Sequence, residues 1–227
     1  RLDVTSYTGA EDLADLNADF RVLANADAQL FAGKLGSVSA VYDKLQSVQI
    51  AAGTSVNATI SAADAALIDE AKLQGDGALS ITDYTGQDLR SAASSLSISV
   101  EVGGTAAVDG TAADLAAADH VVINSGFALN LVAADADTLG DKLSGDGDLN
   151  LANFLTSDLS DINTSLNVDV SVTAVTGATA SLAQLTATSG ALTIDSLTVD
   201  GALSVDALSA TAINSNLTAG INGAGTL

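Results

Sequence analysis

The sequence predicts a mainly β fold. It reads as a repeat solenoid of β-strand plus short-helix coils that passes into all-β coils. Three observations carry this expectation: one phrase occurs three times, bulky core residues are scarce, and apolar residues alternate with polar ones between turn residues. The phrase is Val4-Thr5-Ser6-Tyr7-Thr8-Gly9-Ala10-Glu11-Asp12-Leu13. It returns as Ile81-Thr82-Asp83-Tyr84-Thr85-Gly86-Gln87-Asp88-Leu89, and in worn form as Leu151-Ala152-Asn153-Phe154-Leu155-Thr156-Ser157-Asp158-Leu159. Each copy has a strand-like start, an aromatic, a turn, and an Asp-Leu step expected to open an Ala-rich helical run. The hydrophobic content of 48% is largely Ala, and only 3% of residues are aromatic. The core must therefore be thin and built of Leu, Val, Ile and Ala, which suits stacked repeats.

A second motif alternates with the first. Val22-Leu23-Ala24-Asn25-Ala26-Asp27-Ala28-Gln29-Leu30 recurs at Ile60–Leu67 and at Leu131–Leu139. Its Ala-Asp-Ala step followed by Leu reads as a helix start, with Asp at the positive end of the helix dipole. Strand starts are expected at Val4, Val22, Ile60, Ile81, Val108, Leu131 and Leu151. The stretch from Phe31 to Gly53 fits poorly, and Val41–Leu45 reads as a degenerate coil or a closing helix.

Residues 60–102 match 131–172 with one gap, a super-repeat of about 70 residues read from the offset of Lys72 and Lys142. Each copy ends on an alternating segment, Ser97–Val102 and Asn167–Val172, expected as half-buried strands. After about Val175 the helical runs stop, and Gly-Ala-Leu recurs at Gly190 and Gly201. The expected organisation is a repeat body over 1–175 and an all-β segment over 176–227, ending in a flexible or docking tail. Regular strand spacing also fits β-sandwich repeats, the alternative fold.

The net charge is −21, with no basic residue after Lys142. Such a surface repels phosphate backbones, which excludes nucleic acid as a natural partner. It attracts divalent cations or simply keeps the chain soluble. There is no Cys, hence no disulfide or thiolate metal site. No apolar run reaches the ~20 residues that span a bilayer.

Candidate chemistry is sparse. Lys72-Leu73-Gln74-Gly75-Asp76-Gly77 matches Lys142-Leu143-Ser144-Gly145-Asp146-Gly147, followed by Asp148. Asp76, Asp146 and Asp148 are the candidate calcium ligands. Calcium takes 6–8 oxygens, more than either turn supplies, and a tight turn with Asp bonding its own backbone explains the same residues. His120, the single histidine, follows Asp119 but lacks a nucleophile or further metal ligands. Paired carboxylates for sugar cleavage would want aromatic platforms, and three Tyr and four Phe are few. Tyr7, Tyr84 and Phe154 hold equivalent repeat positions and are expected to point inward as one stacked core ladder.

The strand and corner pattern, best seen from Val108 to Leu115 and from Ile60 to Leu67, resembles repeat domains of very long bacterial secreted surface proteins of adhesin or matrix type. The resemblance covers about residues 1–172. It implies an extracellular or cell-surface location, one-step export and an association with calcium. The tandem Gly-Gly-x-Gly-x-Asp nonapeptides of calcium-binding exported toxins are missing. The expected role is therefore structural and non-enzymatic: a subunit of a self-assembling filament, sheath or adhesin stalk, with itself as partner. A calcium-dependent adhesive module is the alternative. An ice-binding or polysaccharide-binding domain comes third; of a Thr-x-Thr ladder only Thr186-Ala187-Thr188 qualifies.

Overall fold

The protein is described from a computed structural model, which covers residues 1–25, 27–37, 43–52, 57–68, 70–89, 95–154, 157–159, 161–162 and 165–172, and the strand segments 180–181, 194–199, 203–204 and 221–222. Among the described residues it is mainly β, with parallel sheets, few helices and no closed barrel. Two compact units form. The first holds Arg1–Thr105 and Ala113–Val121, the second Ala106–Ala112 and Val122–Leu227.

In the first unit, β1 (Leu2–Tyr7), β2 (Phe20–Ala24), β4 (Leu45–Ile50) and β6 (Leu73–Gly75) make one sheet in that order. In a second sheet, β3 (Gln29–Leu30), β5 (Ala58–Ser61), β7 (Ala78–Thr82) and β8 (Ser97–Val102) follow one another. The described pairings are parallel, so every strand needs a crossover before its neighbour. Register lines up like residues: Val22 pairs with Val48 and Val48 with Leu73, while Leu30, Ile60, Ile81 and Val100 form a second column. All seven are fully buried. Each column is a stack of small branched side chains, which is how a chain poor in aromatics fills its core.

The second unit repeats the plan. β9 (Ala107–Asp109), β11 (Ala128–Val132), β13 (Asp148–Ala152), β14 (Asn167–Val172), β16 (Ile194–Val199) and β18 (Ile221–Asn222) form one six-stranded sheet, again parallel. Val108, Leu129, Leu149 and Val168 make one buried column. Leu131, Leu151 and Val170 make another. β10 (His120–Ile123) lies at the division between the units, β12 (Leu143–Gly145) follows the second helix, and β15 (Ala180–Ser181) pairs with β17 (Leu203–Ser204).

Helices form at two of the three Ala-Asp-Ala sites: α1 (Ala62–Leu67) and α2 (Ala133–Leu139). Ser61 caps α1, its hydroxyl oxygen accepting from the Asp64 N–H at 3.0 Å and its O–H donating to the Asp64 carboxylate at 3.0 Å. That reciprocal pair satisfies a helix-end donor that would otherwise be orphaned. A 3-10 turn follows each helix, at Glu70–Lys72 and Gly140–Lys142.

Several expectations are corrected. The β-sandwich alternative does not fit, because the described pairings are parallel whereas sandwiches are antiparallel. The first Ala-Asp-Ala copy is not helical in its described residues: the Asn25 N–H donates to the Tyr7 carbonyl, and the chain enters β3 at Gln29. The Asp12-Leu13 step likewise makes a turn rather than a helix, with the Leu13 N–H donating to the Lys34 carbonyl. Leu45 opens β4, an inner strand of its sheet, and not a closing helix. The expected boundary at residue 175 falls inside the second unit, where β14 pairs with β16. Thr186-Ala187-Thr188 lies outside the described residues.

All seven expected strand starts lie in strands. Tyr7, Tyr84 and Phe154 are each 0% exposed. Tyr7 and Tyr84 do not stack in one sheet: Tyr7 ends β1 and Tyr84 follows β7, strands of different sheets; Phe154 lies in the second unit. The residue before each ring, Ser6, Asp83 or Asn153, has a positive φ of 61°, 56° and 56°. At Ser6 this left-handed residue lies in a register shift within β1, and at Asp83 and Asn153 it follows the end of β7 and of β13; the aromatic after each is buried. The ring residue's N–H then bonds a neighbouring carbonyl, Tyr84 to Glu101 at 3.0 Å and Phe154 to Ser171 at 3.1 Å. Just after the ring, the Thr8 N–H donates to the Glu11 carboxylate at 3.0 Å, and the Thr85 N–H to the Gln87 side-chain oxygen at 2.8 Å. The bond from Thr8 holds the Glu11 carboxyl below its ordinary 4.5.

Candidate functional site

The Gly-Asp-Gly turns are built alike. Gly75 and Gly145 have φ of +127° and +121°. A Cβ on either would sit 2.1 Å from a carbonyl oxygen, of Ile50 and of Ile123 respectively. Only glycine allows that approach. The next backbone N–H groups exploit it: Gly77 donates to Ile50 at 3.1 Å, and Gly147 to Ile123 at 3.0 Å. The carbonyls of Gly75 and Gly145 accept the hydroxyls of Ser95 and Ser165.

The three calcium candidates sit around these turns. The Asp76 carboxylate accepts from the Ala52 N–H at 3.2 Å, and Asp148 accepts from the Asn167 amide at 2.9 Å. Asp146 is exposed and donates its N–H to Ile123 at 3.1 Å. Among the described residues, no three His, Cys, Asp or Glu side chains gather in a metal-binding group. The Asp119 carboxylate accepts from the Ile98 N–H at 2.9 Å, so it fixes backbone beside the exposed His120. Lys72 pairs with Asp43 in a partly buried ion pair.

A groove in the second unit was not singled out by the sequence. It has a volume of about 410 Å³ and lies over the outer face of β9, β11, β13 and β14. Four polar residues stand in register across it: Asp109, Asn130, Asn150 and Asp169. The Asn130 amide donates to Asp109 at 2.8 Å, and the Asn150 amide donates to the Asn130 oxygen at 2.7 Å. Both amides therefore point towards Asp109. Among the described residues no hydrogen bond uses the Asn150 oxygen or the Asp169 carboxylate, two acceptors on adjacent rungs. Two residues further along the strands a second row begins with Val132, 39% exposed, then Ala152 and Ser171. Their outward direction follows from pleating, since Leu131, Leu151 and Val170 between the rows are buried.

Comparison of the chain with family models, curated proteins and solved structures finds no match. The site must be read from its own chemistry. A signal for the groove existed in the sequence: Val108-Asp109, Leu129-Asn130, Leu149-Asn150 and Val168-Asp169 each set a polar residue after an apolar one. It became visible only once register aligned these pairs. Among the described residues, no helix is long and apolar enough to cross a membrane, which leaves strand-built membrane barrels untouched.

Proposed function

We propose that this chain is a structural, extracellular protein: a repeat solenoid that serves as a subunit of a surface filament, sheath or adhesin stalk and associates with further copies of itself. The observation that carries the reading is the in-register parallel stacking of like on like. Columns of Val, Ile and Leu continue from strand to strand, and so do polar rows such as Gln49 with Gln74 at 2.8 Å and Asn130 with Asn150 at 2.7 Å. Stacking of this kind has no intrinsic end, and an outer parallel strand is a template for another. β1 is such an outer strand, with Leu2 45% exposed, and β18 is the outer strand of its own sheet. The net charge of −21 then keeps assembled lateral surfaces apart and opposes nucleic-acid binding. The role is mechanical rather than catalytic.

Electron microscopy and sedimentation of the purified chain test this. Concentration-dependent fibres or rods are expected. Removing residues 209–227, which takes away β18, should abolish assembly and leave the remaining strands folded by circular dichroism. A chain that stays monomeric at high concentration, or a truncation that assembles as well as the intact chain, overturns the reading.

A further inference from the structure

The groove over β9, β11, β13 and β14 asks for a ligand of defined chemistry. Its described rungs run Asp109, Asn130, Asn150, Asp169, a carboxylate at each end of the described groove with two amides between, and register carries the row on to Ser196 of β16. Acceptors at both ends call for a ligand rich in donors. The flanking Val132–Ala152–Ser171 row adds a mostly apolar strip alongside.

Other occupants fit less well. A single cation cannot bridge the two carboxylates, because three strand spacings of roughly 4.8 Å separate them. An added β-strand needs free backbone groups at a sheet edge, and this is the face of a sheet whose inner strands are already paired on both sides. Anionic ligands are repelled by the net charge of −21. A sugar chain answers each feature. Its hydroxyls donate to carboxylates and exchange bonds with amides. Its C–H faces cover an apolar strip. One pyranose unit in an extended chain is about as long as one strand spacing of roughly 4.8 Å, so successive sugars meet successive rungs.

We propose that this groove binds a neutral glycan chain laid across the strands, with Asn150 and Asp169 as the principal polar contacts. At that end the Asn150 oxygen faces the Asp169 carboxylate, and no described hydrogen bond joins them. Two neighbouring sugar hydroxyls placed there would donate one to the Asn150 oxygen and the other to the Asp169 carboxylate. Asp109 and Asn130, already bonded to Asn150's amide chain, hold the rungs in place. This site goes beyond the structural role and stands whether or not the chain assembles.

Isothermal titration calorimetry of the intact chain, with a soluble neutral β-linked hexasaccharide as probe, tests it. Saturable binding is expected, weakened at least tenfold by Asn150→Ala and by Asp169→Ala, and unchanged by Gln74→Ala on the first unit. A hexasaccharide of uronic acids should bind at least tenfold more weakly. Ala152→Glu guards against misfolding in the rung variants: it sits on the exposed strip, should leave the melting midpoint unchanged, and should still block the groove. No binding of the neutral probe at millimolar concentration, equal binding by the rung variants and Ala152→Glu, or preference for the uronate probe overturns the proposal.

Discussion

Asp83 and Asn153 hold the same left-handed backbone conformation, φ 56° in each, one residue before a fully buried ring. Asn and Asp tolerate this region better than other side chains, and Ser6 takes the same place in the first copy at φ 61°. The substitution pattern across the repeats is thus a record of backbone geometry. Asp83→Val should destabilise the chain by about 1–3 kcal/mol, because a branched Cβ is strained there. Asp83→Asn should be close to neutral, and Ser6→Gly neutral to stabilising. Urea unfolding of the three variants measures the series.

The buried rings differ in one atom. Among the described residues the hydroxyls of Tyr7 and Tyr84 have no hydrogen-bond partner, and Phe154 has no hydroxyl to satisfy. Tyr84→Ala should cost roughly 3–5 kcal/mol, the range for a large aromatic truncated in a core. Tyr84→Phe should be neutral or should stabilise, since an unsatisfied buried hydroxyl costs about 1–3 kcal/mol. Loss of stability in Tyr84→Phe would mean that the hydroxyl has a partner in solution.

The same two phenols make stability depend on alkaline pH. Burial, with lesser contributions from nearby carboxylates, pushes both from the ordinary 10.0 up to about 12. The unfolded chain releases these protons first, so stability is intact below pH 10.0, falls as pH rises above it, and levels off past about 12. Urea unfolding across that range, compared with a Tyr7→Phe, Tyr84→Phe double variant, should show a shallower fall in the variant.

Gly75 and Gly145 face carbonyl oxygens that a Cβ would meet at 2.1 Å, with backbone already at positive φ. Gly75→Ala or Gly145→Ala should cost about 3 kcal/mol or more, combining backbone strain with overpacking. Asp146→Asn, on an exposed side chain in the same turn, should change stability by less than about 0.5 kcal/mol. Thermal melting reads all three.

Calcium separates the two roles of Asp76, Asp146 and Asp148. The hydrogen bonds that Asp76 and Asp148 accept make them structural acceptors. That role predicts equal melting midpoints with calcium and with chelator at matched ionic strength, because plain screening acts equally in both. A higher midpoint in calcium, lost in Asp146→Asn, would show a specific ion site.

By itself the sequence determined the local content of this fold. Alternation placed β8, β14 and the seven strand starts, because a half-buried strand writes its period directly into residue order. The equivalence of Tyr7, Tyr84 and Phe154 in the repeat marked them as buried rings. Tertiary structure alone decided the rest. It made β4 a strand where residues 31–53 showed no clear pattern, since pairing on both sides fixes a segment whatever its own signal. It denied the described residues of the first Ala-Asp-Ala copy a helix, and it set Tyr7 at the end of β1 and Tyr84 just after β7, strands of different sheets. It also set Asp109, Asn130, Asn150 and Asp169 side by side. Their spacing of 19 to 21 residues along the chain carries no mutual signal, and only parallel register brings such distant residues into one row.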